Sequence, residues 1–339
     1  MLTALSAGCA QAEPPPSPPV AQERPDPARD PLLQPIAPEY ARQWLGAEAP
    51  IKVYGNTYLV GFSGLDIVLI STPEGLVLVD GALPQAVEAI EGNIRRLGFR
   101  LEDVKYILST EPHYDHAGGL AALARDTGAT VIASPAAAEV LRRGRSGADD
   151  PQAASLEPFP AVERVRALRD GDILRLGDVE ITARATPGHT PGSMSWSWRA
   201  CEAGDCKTVV FGASLNPITA GAYRFSDPAN RALLDGFRGT FARLRTMPCD
   251  ILLTAHPSQS GGPGLSSVDG RGRCGGRRRG RARLCPVWRP GVRSGRPVGT
   301  DAGRGRGAGG ARRTAGRDDG GRRSGRRLRP CRDPASGGG

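Results

Sequence analysis

Hydrophobic residues concentrate between about residue 40 and residue 257, and they recur there with two periods. Short apolar or alternating runs bounded by Gly, Pro and Asn predict β-strands, whereas apolar residues three or four apart predict α-helices. The predicted strands cover residues 52–60, 64–71, 76–80, 104–108, 130–133, 173–176, 179–185, 193–198, 208–211 and 250–254.

Three helices are predicted between these strands. The first begins at Pro84, places apolar side chains on one face and ends at Gly98. The others cover residues 118–125 and 231–244. Because strands and helices alternate in both halves of this region, the pattern predicts an α/β fold, an αβ/βα sandwich of two mixed β-sheets flanked by helices.

The N-terminal part of the chain differs from this middle region. Residues 1–12 are small and apolar and end in Ala-x-Ala, which predicts the remnant of a signal peptide cleaved after Ala12. Ser-Ala-Gly-Cys9 also resembles a lipoprotein box, so a lipid anchor on Cys9 stays open, as does a disordered cytoplasmic leader. The Pro-rich residues 13–40 predict an extended linker, and residues 41–260 predict a globular domain.

Residues 261–339 carry most of the positive charge. The chain has a net charge of +10, but this segment holds 21 Arg and only 5 Asp as its charged residues, so the remainder is mildly acidic. We therefore expect no nucleic acid to bind the folded domain. The segment is either a disordered Arg/Gly-rich nucleic-acid tail or a frameshift product that replaces a native C-terminal helix. The abrupt change of composition favours the frameshift.

The cysteines indicate an oxidising compartment. Of the seven, Cys201 and Cys206 flank a four-residue turn between two predicted strands, which suits a disulfide that closes a hairpin. A zinc site at this pair is less favoured, because no second pair has a matching spacing. A disulfide indicates a periplasmic or secreted protein. No apolar run approaches the ~20 residues of a membrane-spanning helix.

All four histidines of the chain lie in loops directly after predicted strands. His113 and His116 flank Asp115 in Glu-Pro-His-Tyr-Asp-His, His189 follows Thr-Pro-Gly, and His256 follows Leu-Thr-Ala. Imidazoles and carboxylates from separate loops are the ligands of hydrolytic zinc sites, which keep positions open for water. Ordinary core or surface histidines are the alternative, but four of them in such loops favour a metal site.

At these residues the chain resembles the metallo-β-lactamase superfamily, whose signature is His-x-His-x-Asp-His followed by two distant histidines. The resemblance covers roughly residues 45–260 and is strongest to class B metallo-β-lactamases of the third subclass. It rests on Glu-Pro-His-Tyr-Asp-His-Ala-Gly-Gly-Leu, Thr-Pro-Gly-His-Thr-Pro-Gly-Ser, Ala-Ser-Leu-Asn-Pro and His-Pro-Ser. The His-Pro-Ser ending, and Ser214 where another subclass has a Cys ligand, distinguish the chain from glyoxalase-like and lactonase-like relatives.

The resemblance implies two Zn²⁺ ions per chain. It assigns one ion to Glu111, His113 and His189, and the other to Asp115, His116 and His256. Glu111 departs from the family, which usually has His at this position. A carboxylate still binds zinc but adds negative charge, so we expect a higher pKa for the bound water and a pH–rate profile displaced to the alkaline side.

The resemblance also implies that a metal-bound hydroxide hydrolyses the β-lactam amide of a small-molecule substrate, which confers antibiotic resistance. Asp115 would orient the hydroxide and Ser214 would hold the second metal's water. The substrate carboxylate would meet Ser214, Asn216 or Arg224. A turn residue is the alternative for Ser214, and a solvated surface cation for Arg224. We expect a monomer.

Two other functions stay open. One is a hydrolase of the same fold that acts on lactones, thioesters or other esters. The other is an inactive truncated homologue with a basic tail, because the C-terminal helix that packs on the sandwich in this family is not evident in the sequence. Turnover of a β-lactam against a lactone control separates the first from a β-lactamase, and thermal melting with and without Zn²⁺ tests the second.

Overall fold

The computed structural model describes residues 26–259 and the backbone of residues 268–269 and 273–274. Two mixed β-sheets pack together with helices outside them, which confirms the predicted αβ/βα sandwich. The helices are α1 (Pro38–Trp44), α2 (Val87–Arg96), α3 (Tyr114–Ala117), α4 (Leu120–Thr127), α5 (Pro135–Arg143) and α6 (Arg231–Leu244). The strands of the sandwich are β1 (Ile51–Tyr54), β2 (Thr57–Leu59), β3 (Val68–Thr72), β4 (Gly75–Val79), β5 (Val104–Leu108), β6 (Thr130–Ala133), β7 (Val165–Ala167), β8 (Ile173–Leu176), β9 (Val179–Ala185), β10 (Met194–Glu202), β11 (Asp205–Gly212) and β12 (Ile251–Thr254).

The first sheet contains β1 to β7 in chain order. Strands β1 to β4 are antiparallel neighbours, and β4 to β7 run parallel. Parallel neighbours need crossover connections, which contain α2, then α3 and α4, then α5. The carboxyl ends of β4 to β7 therefore lie at one edge of this sheet.

The second sheet has the strand order β12, β11, β10, β9, β8. Strands β11 and β12 are parallel, and the other neighbours are antiparallel. Because β10 runs opposite to both β9 and β11, the strands β9, β11 and β12 all point the same way. Their carboxyl ends lie together at one end of this sheet.

Strand side chains alternate between two hydrophobic cores. In β4, Leu76 and Leu78 belong to the core that the first sheet forms with α2, α4 and α5, whereas Val77 and Val79 belong to the core between the two sheets. This alternation follows from the two-residue period of a strand. The core between the sheets includes Trp196, which is fully buried.

The structure corrects the predicted strand at residues 52–60. It consists of two strands, β1 and β2, joined by a tight turn in which Gly55 has a φ of 53°. Such a left-handed conformation favours glycine and reverses the chain. The helices α1 and α5 and the strand β7 were not predicted, although Ser134 before Pro135 is a typical helix start, and its hydroxyl accepts the Ala137 N–H.

Residues 26–36, which belong to the predicted linker at residues 13–40, make packing contacts with the domain. The carboxylate of Asp30 is buried and accepts a hydrogen bond from Arg125 of α4 at 2.6 Å. The backbone of Ile36 exchanges two hydrogen bonds with the side chain of Gln85. These contacts join residues far apart in the sequence, so composition alone did not reveal them.

Several predictions fall on other parts of the chain. The signal-peptide remnant and the first half of the linker lie outside the described residues, and so does the predicted tail except for two short strands, β13 (Val268–Asp269) and β14 (Arg273–Cys274), which pair antiparallel. Within the described part of the chain, no helix has the length and apolar character needed to cross a membrane.

Candidate metal centre

Loops from both sheets meet at one edge of the sandwich. The loop after β5 carries residues 109–116, the loops after β9 and β12 carry His189 and His256, and Ser214 follows β11. Two hydrogen bonds tie the sheets together at this edge. The Met194 N–H donates to Thr110 O at 2.7 Å, and the indole N–H of Trp196 donates to Ser109 O at 3.2 Å.

Glu111, His113 and His189 form the first group of candidate ligands. One ligand atom from each lies within 4.8 Å of the others, and all three side chains are buried. Glu111 Oε1 lies 3.4 Å from His189 Nε2 and 3.9 Å from His113 Nδ1. The structure thus brings together one carboxylate and two imidazoles, in the combination that the sequence predicts.

Asp115, His116 and His256 form the second group, within the same 4.8 Å limit. Asp115 Oδ2 lies 3.4 Å from His116 Nε2 and 3.2 Å from His256 Nε2. The two groups adjoin, because Glu111 Oε1 of the first lies 3.2 Å from His116 Nε2 of the second. All six predicted ligands therefore lie in one site with two centres.

The clustered charges shift the pKa values of these side chains. Burial alone would raise the pKa of Glu111, but His116, His189 and His113 lower it to about 2. Burial opposes protonation of His116, yet Asp115 and Glu111 raise its pKa well above the ordinary value. These directions favour an ionised Glu111 and a protonated His116. A divalent cation at the site competes with the His116 proton, so metal uptake releases it.

Buried polar atoms without partners show that the site fits a metal. Glu111 Oε1 and His116 Nε2 are buried and make no hydrogen bond, since their 3.2 Å contact is not aligned for one. An unpaired buried polar atom is costly, and native structures leave few of them. Divalent cations at the two groups would satisfy both atoms. Imidazole nitrogens and carboxylate oxygens are also the donors that zinc prefers.

Asp80, directly after β4, contacts the second group through His116. Its Oδ2 accepts a hydrogen bond from His116 Nδ1 at 3.2 Å, and its two oxygens also accept the N–H and the hydroxyl of Thr110. This leaves His116 Nε2 pointing into the site. A carboxylate behind a metal-ligating histidine fixes its tautomer and raises its basicity.

The backbone of Ser214 holds Glu111. Its N–H donates to Glu111 Oε2 at 2.8 Å, which leaves Oε1 as the oxygen that faces the imidazoles. The hydroxyl of Ser214 is buried and has no hydrogen-bond partner. The main chain of Ser214 therefore positions a ligand, and its side chain remains available to a bound molecule.

A cavity of about 280 Å³ opens over both groups. Trp44, Leu156 and Ile218 form its apolar part. Its polar residues include Gln152, Asn216, Ser258 and Gln259 besides the ligands and Ser214. None of the described residues that line it is Lys or Arg, so a bound anion would meet hydroxyl and amide donors and the metal ions.

The three predicted substrate contacts have different positions. Ser214 and Asn216 line the cavity, and Asn216 also accepts a hydrogen bond from His189 Nδ1 at 2.8 Å through its main-chain oxygen. Arg224 does not line the cavity. Its guanidinium donates hydrogen bonds to the carbonyls of Gly221 and Tyr223 in its own loop and does not face the ligand groups.

Cys201 and Cys206 lie far from this cavity, at the closed end of the β10–β11 hairpin. They face each other across the strand pair and form a disulfide in the structure. A groove of about 620 Å³ beside them, lined by Asn56 and Arg199 among others, is larger than the cavity over the ligands. Among the described residues, neither candidate ligand group includes a residue of this groove, and both groups lie at the smaller cavity.

Sequence reasoning missed four residues around the site. Asp80 ends a strand beside β5, and this position could have indicated it. The ring of Trp44 lies tilted against that of His256, with centroids 5.7 Å apart, but Trp44 belongs to a helix that was not predicted. Asp150 and Gln152 lie in a loop without periodicity, and no local signal marks them.

The chain belongs to the metallo-β-lactamase superfamily. The model of this superfamily matches residues 60–203. One similar solved structure is a B3 metallo-β-lactamase characterised as the first with an active-site glutamic acid. It is 55% identical, covers 69% of this chain and 88% of its own, and has a TM-score of 0.68. Rm3 metallo-β-lactamase is 45% identical over 66% of this chain and 83% of its own, with a TM-score of 0.64.

The first of these structures places the likeness within subclass B3, as the motifs predict. Curated sequences give weaker matches. Hydroxyacylglutathione hydrolase of Brucella anthropi is 29% identical over 154 residues, which are 45% of this chain and 48% of that enzyme. The chain spans about half the length of the curated relatives it matches first. The fold and these neighbours together indicate a hydrolase with a divalent-metal site.

Proposed function

We propose that the protein is a zinc-dependent β-lactamase that hydrolyses the amide bond of β-lactam antibiotics and so confers resistance to them. The observation that carries this proposal is the pair of buried three-residue groups under one cavity, Glu111 with His113 and His189, and Asp115 with His116 and His256. The B3 β-lactamase with an active-site glutamic acid supports the substrate class and a role for Glu111.

In this proposal Glu111, His113 and His189 would hold one zinc ion, and Asp115, His116 and His256 the other. Bound zinc supplies Lewis acidity, which polarises a carbonyl and lowers the pKa of water. Asp115 has a second role, because a carboxylate beside the reacting water accepts its hydrogen bond and orients it toward the substrate carbonyl. We assign no covalent nucleophile to the chain.

The cavity walls would orient the substrate. The Ser214 hydroxyl is a buried donor without a partner, so it can bind the carboxylate next to the β-lactam nitrogen. Asn216, whose side-chain oxygen also lacks a partner, lies two residues further along the same loop. Trp44, Leu156 and Ile218 would contact the apolar substituents of the drug and exclude water from the reacting bond.

The disulfide supports export to an oxidising compartment such as the periplasm. Cys201 and Cys206 close the β10–β11 hairpin, and disulfides persist outside the reducing cytosol. Mass spectrometry of cysteines labelled in intact cells would show both as oxidised. Reduced thiols at both positions would contradict export.

The direct test uses the full 339-residue chain. We expect the purified protein to contain zinc by elemental analysis and to hydrolyse nitrocefin, and we expect a chelator to abolish turnover until zinc is restored. A chain that binds no zinc and stays inert with zinc in excess would overturn the proposal.

Two comparison substrates separate this function from the other hydrolase activities of the fold. We expect kcat/KM for nitrocefin to exceed that for an acyl-homoserine lactone and for a glutathione thioester by at least about 100-fold, a difference of roughly 2.7 kcal/mol in transition-state binding. A preference for the thioester would favour the activity of the hydroxyacylglutathione hydrolase relative instead.

A further inference from the structure

One loop, which contributes no ligand itself, contacts both histidines of the first ligand group. It covers residues 144–158, between α5 and β7, and is called the Asp150 loop below. Backbone hydrogen bonds close its base, since Phe159 N donates to Gly144 O at 2.8 Å. The Ala220 N–H donates to Pro151 O at 2.9 Å and attaches the loop to the segment after β11.

Asp150 is the buried acidic residue of this loop, with 4% of its surface exposed. Its Oδ2 accepts a hydrogen bond from His113 Nε2 at 2.9 Å, and its Oδ1 accepts the backbone N–H of Gln152 at 2.8 Å. The Ser146 hydroxyl donates to the same Oδ2 at 3.3 Å. Oδ1 thus binds the backbone of the loop, whereas Oδ2 binds His113 together with the Ser146 hydroxyl.

The bond to Asp150 decides which nitrogen of His113 faces the ligand group. A carboxylate oxygen only accepts, so Nε2 carries the hydrogen, and in the neutral ring that can bind a metal Nδ1 keeps its lone pair. Nδ1 is the nitrogen that lies 3.9 Å from Glu111 Oε1, on the side of the first group. Asp80 does the converse for the second group, because it accepts from His116 Nδ1 and leaves Nε2 free.

We propose that Asp150 is a positioning residue for the first metal ion, which it serves by holding His113 in the tautomer whose Nδ1 is free to bind zinc. This inference rests on the zinc dependence proposed above. Asp150 lies outside the ligand motif, yet in this proposal it sets the tautomer, the ring orientation and the basicity of His113.

Gln152, two residues further along, provides a matched control in the same loop. The His189 Nδ1–H donates to the carbonyl of Asn216, so His189 Nε2 is an acceptor, and the Gln152 amide lies 3.1 Å from it. This contact occupies the lone pair that a metal would use. Gln152 would therefore compete with zinc for this nitrogen, and we expect its removal not to weaken metal binding.

The decisive variant is Asp150→Asn, which keeps the shape of the side chain. Its Oδ1 still accepts the Gln152 N–H, so the turn is preserved. Its amide group faces His113 Nε2 with a donor, which favours the tautomer that carries hydrogen on Nδ1. We expect zinc affinity at the first group to fall about 10–100-fold. Gln152→Ala should not lower it.

The measurement is zinc competition with a chromophoric chelator, in a His256→Ala background that retains only the first group intact. Thermal melting checks that each variant is folded. Equal affinity in Asp150→Asn and its parent would overturn the inference and leave the proposed function standing. An equal loss in Gln152→Ala would also overturn it, since the loop would then act only as a scaffold. A wild-type chain that binds no zinc would overturn both.

A second measurement needs no variant. Imidazole ¹⁵N spectra of the zinc-loaded wild type should show His113 with a slowly exchanging hydrogen on Nε2 and with Nδ1 bound to the metal. A hydrogen on Nδ1 would contradict the assignment. In Asp150→Asn at saturating zinc, this Nε2–H signal should broaden or disappear. A signal as sharp as in the wild type would also count against Asp150.

Discussion

At the scale of single residues, Glu111 has the most unusual environment. Its carboxylate is fully buried, is held through Oε2 by the Ser214 N–H, and lies close to three imidazoles through Oε1. A buried acid in such surroundings is ionised, and its free oxygen is available to bind a cation. The negative charge that it adds beside the metals is the main chemical difference from the His that the family motif has here.

Replacement of Glu111 by His should move the pH–rate profile. Without the carboxylate the site is more positive, so water ionises more readily and the acid limb of kcat/KM shifts to lower pH. Glu111→Gln separates charge from donor type and should shift the limb in the same direction. The measurement is kcat/KM for nitrocefin from pH 5 to 10 at saturating zinc. An unchanged limb in both variants would show that the charge of Glu111 has no such effect.

Cys249 should react slowly with alkylating reagents in the folded protein. Burial, with a smaller effect of Asp250, raises the pKa of its thiol from 9.0 to about 11, and it forms no disulfide with any other described residue. Alkylation of this residue by iodoacetamide, followed by mass spectrometry, should accelerate up to about pH 11. The guanidinium-unfolded chain, as control, should react with a midpoint near pH 9. Equal rates at pH 8 would contradict the shift.

The same pKa shift has a consequence for stability. A thiol whose pKa is raised in the folded state contributes stability that is fully present below pH 9 and is lost as the pH rises toward 11. In Cys249→Ser, which has no thiol at this position, the free energy of unfolding should fall less between pH 8 and pH 10.5 than in the wild type. Urea unfolding at pH 8 and pH 10.5 compares the two chains.

At the scale of secondary-structure elements, the packing of α6 against the His189 loop depends on one glycine. Gly188 has a φ of 149°, and a Cβ at this position would overlap the ring of Phe237 in α6. Phe237 is one of the buried residues of that helix. A close helix–loop contact therefore lies next to the candidate ligand His189, where a side chain at position 188 would separate the two elements.

Gly188→Ala should destabilise the fold by on the order of 1–3 kcal/mol, because it overpacks this contact. Gly92 in α2 is the matched control, since a Cβ there meets nothing within 4 Å. Gly92→Ala should stabilise the protein by about 0.5–1 kcal/mol through helix propensity. Urea unfolding measures both. A Gly188→Ala variant as stable as the wild type would show that α6 can shift away from the added methyl group without loss of unfolding free energy.

At the scale of the whole molecule, the candidate metal site lies between the two sheets. The loop after β5 belongs to the first sheet, whereas His189 and His256 follow strands of the second. Each candidate ligand group therefore contains residues from both sheets. A metal bound at either group links the halves of the sandwich and binds only where both are folded.

Zinc should therefore raise the melting temperature of the full chain. A ligand that binds only the folded state stabilises it by about 2.7 kcal/mol at 100 times its dissociation constant. The double variant His189→Ala, His256→Ala removes from each group the ligand that follows a strand of the second sheet. It should abolish most of the zinc-induced rise in melting temperature. Differential scanning fluorimetry with zinc, with chelator and with magnesium as control gives the readout. A melting temperature that zinc leaves unchanged would contradict the link between the sheets.

The sequence by itself determined the order of most strands and helices and the six candidate ligands. It could do so because these signals are local. Four ligands lie within Glu111–His116, and His189 and His256 stand in short Pro-containing loops directly after strands. Hydrophobic periodicity likewise needs only neighbouring residues, so β4, β5 and α6 were predicted with nearly their observed ends.

Only the tertiary structure decided which residues support those ligands. Asp80 and Asp150 contact His116 and His113 across 36 and 37 residues of chain. No local signal distinguishes Asp150 from a surface acid, and Asp80 is marked only by its place at the end of a predicted strand. The packing of residues 26–36 on the domain and the position of Arg224 outside the cavity were decided in the same way. The physical reason is that burial and hydrogen-bond partners arise only when distant segments fold together.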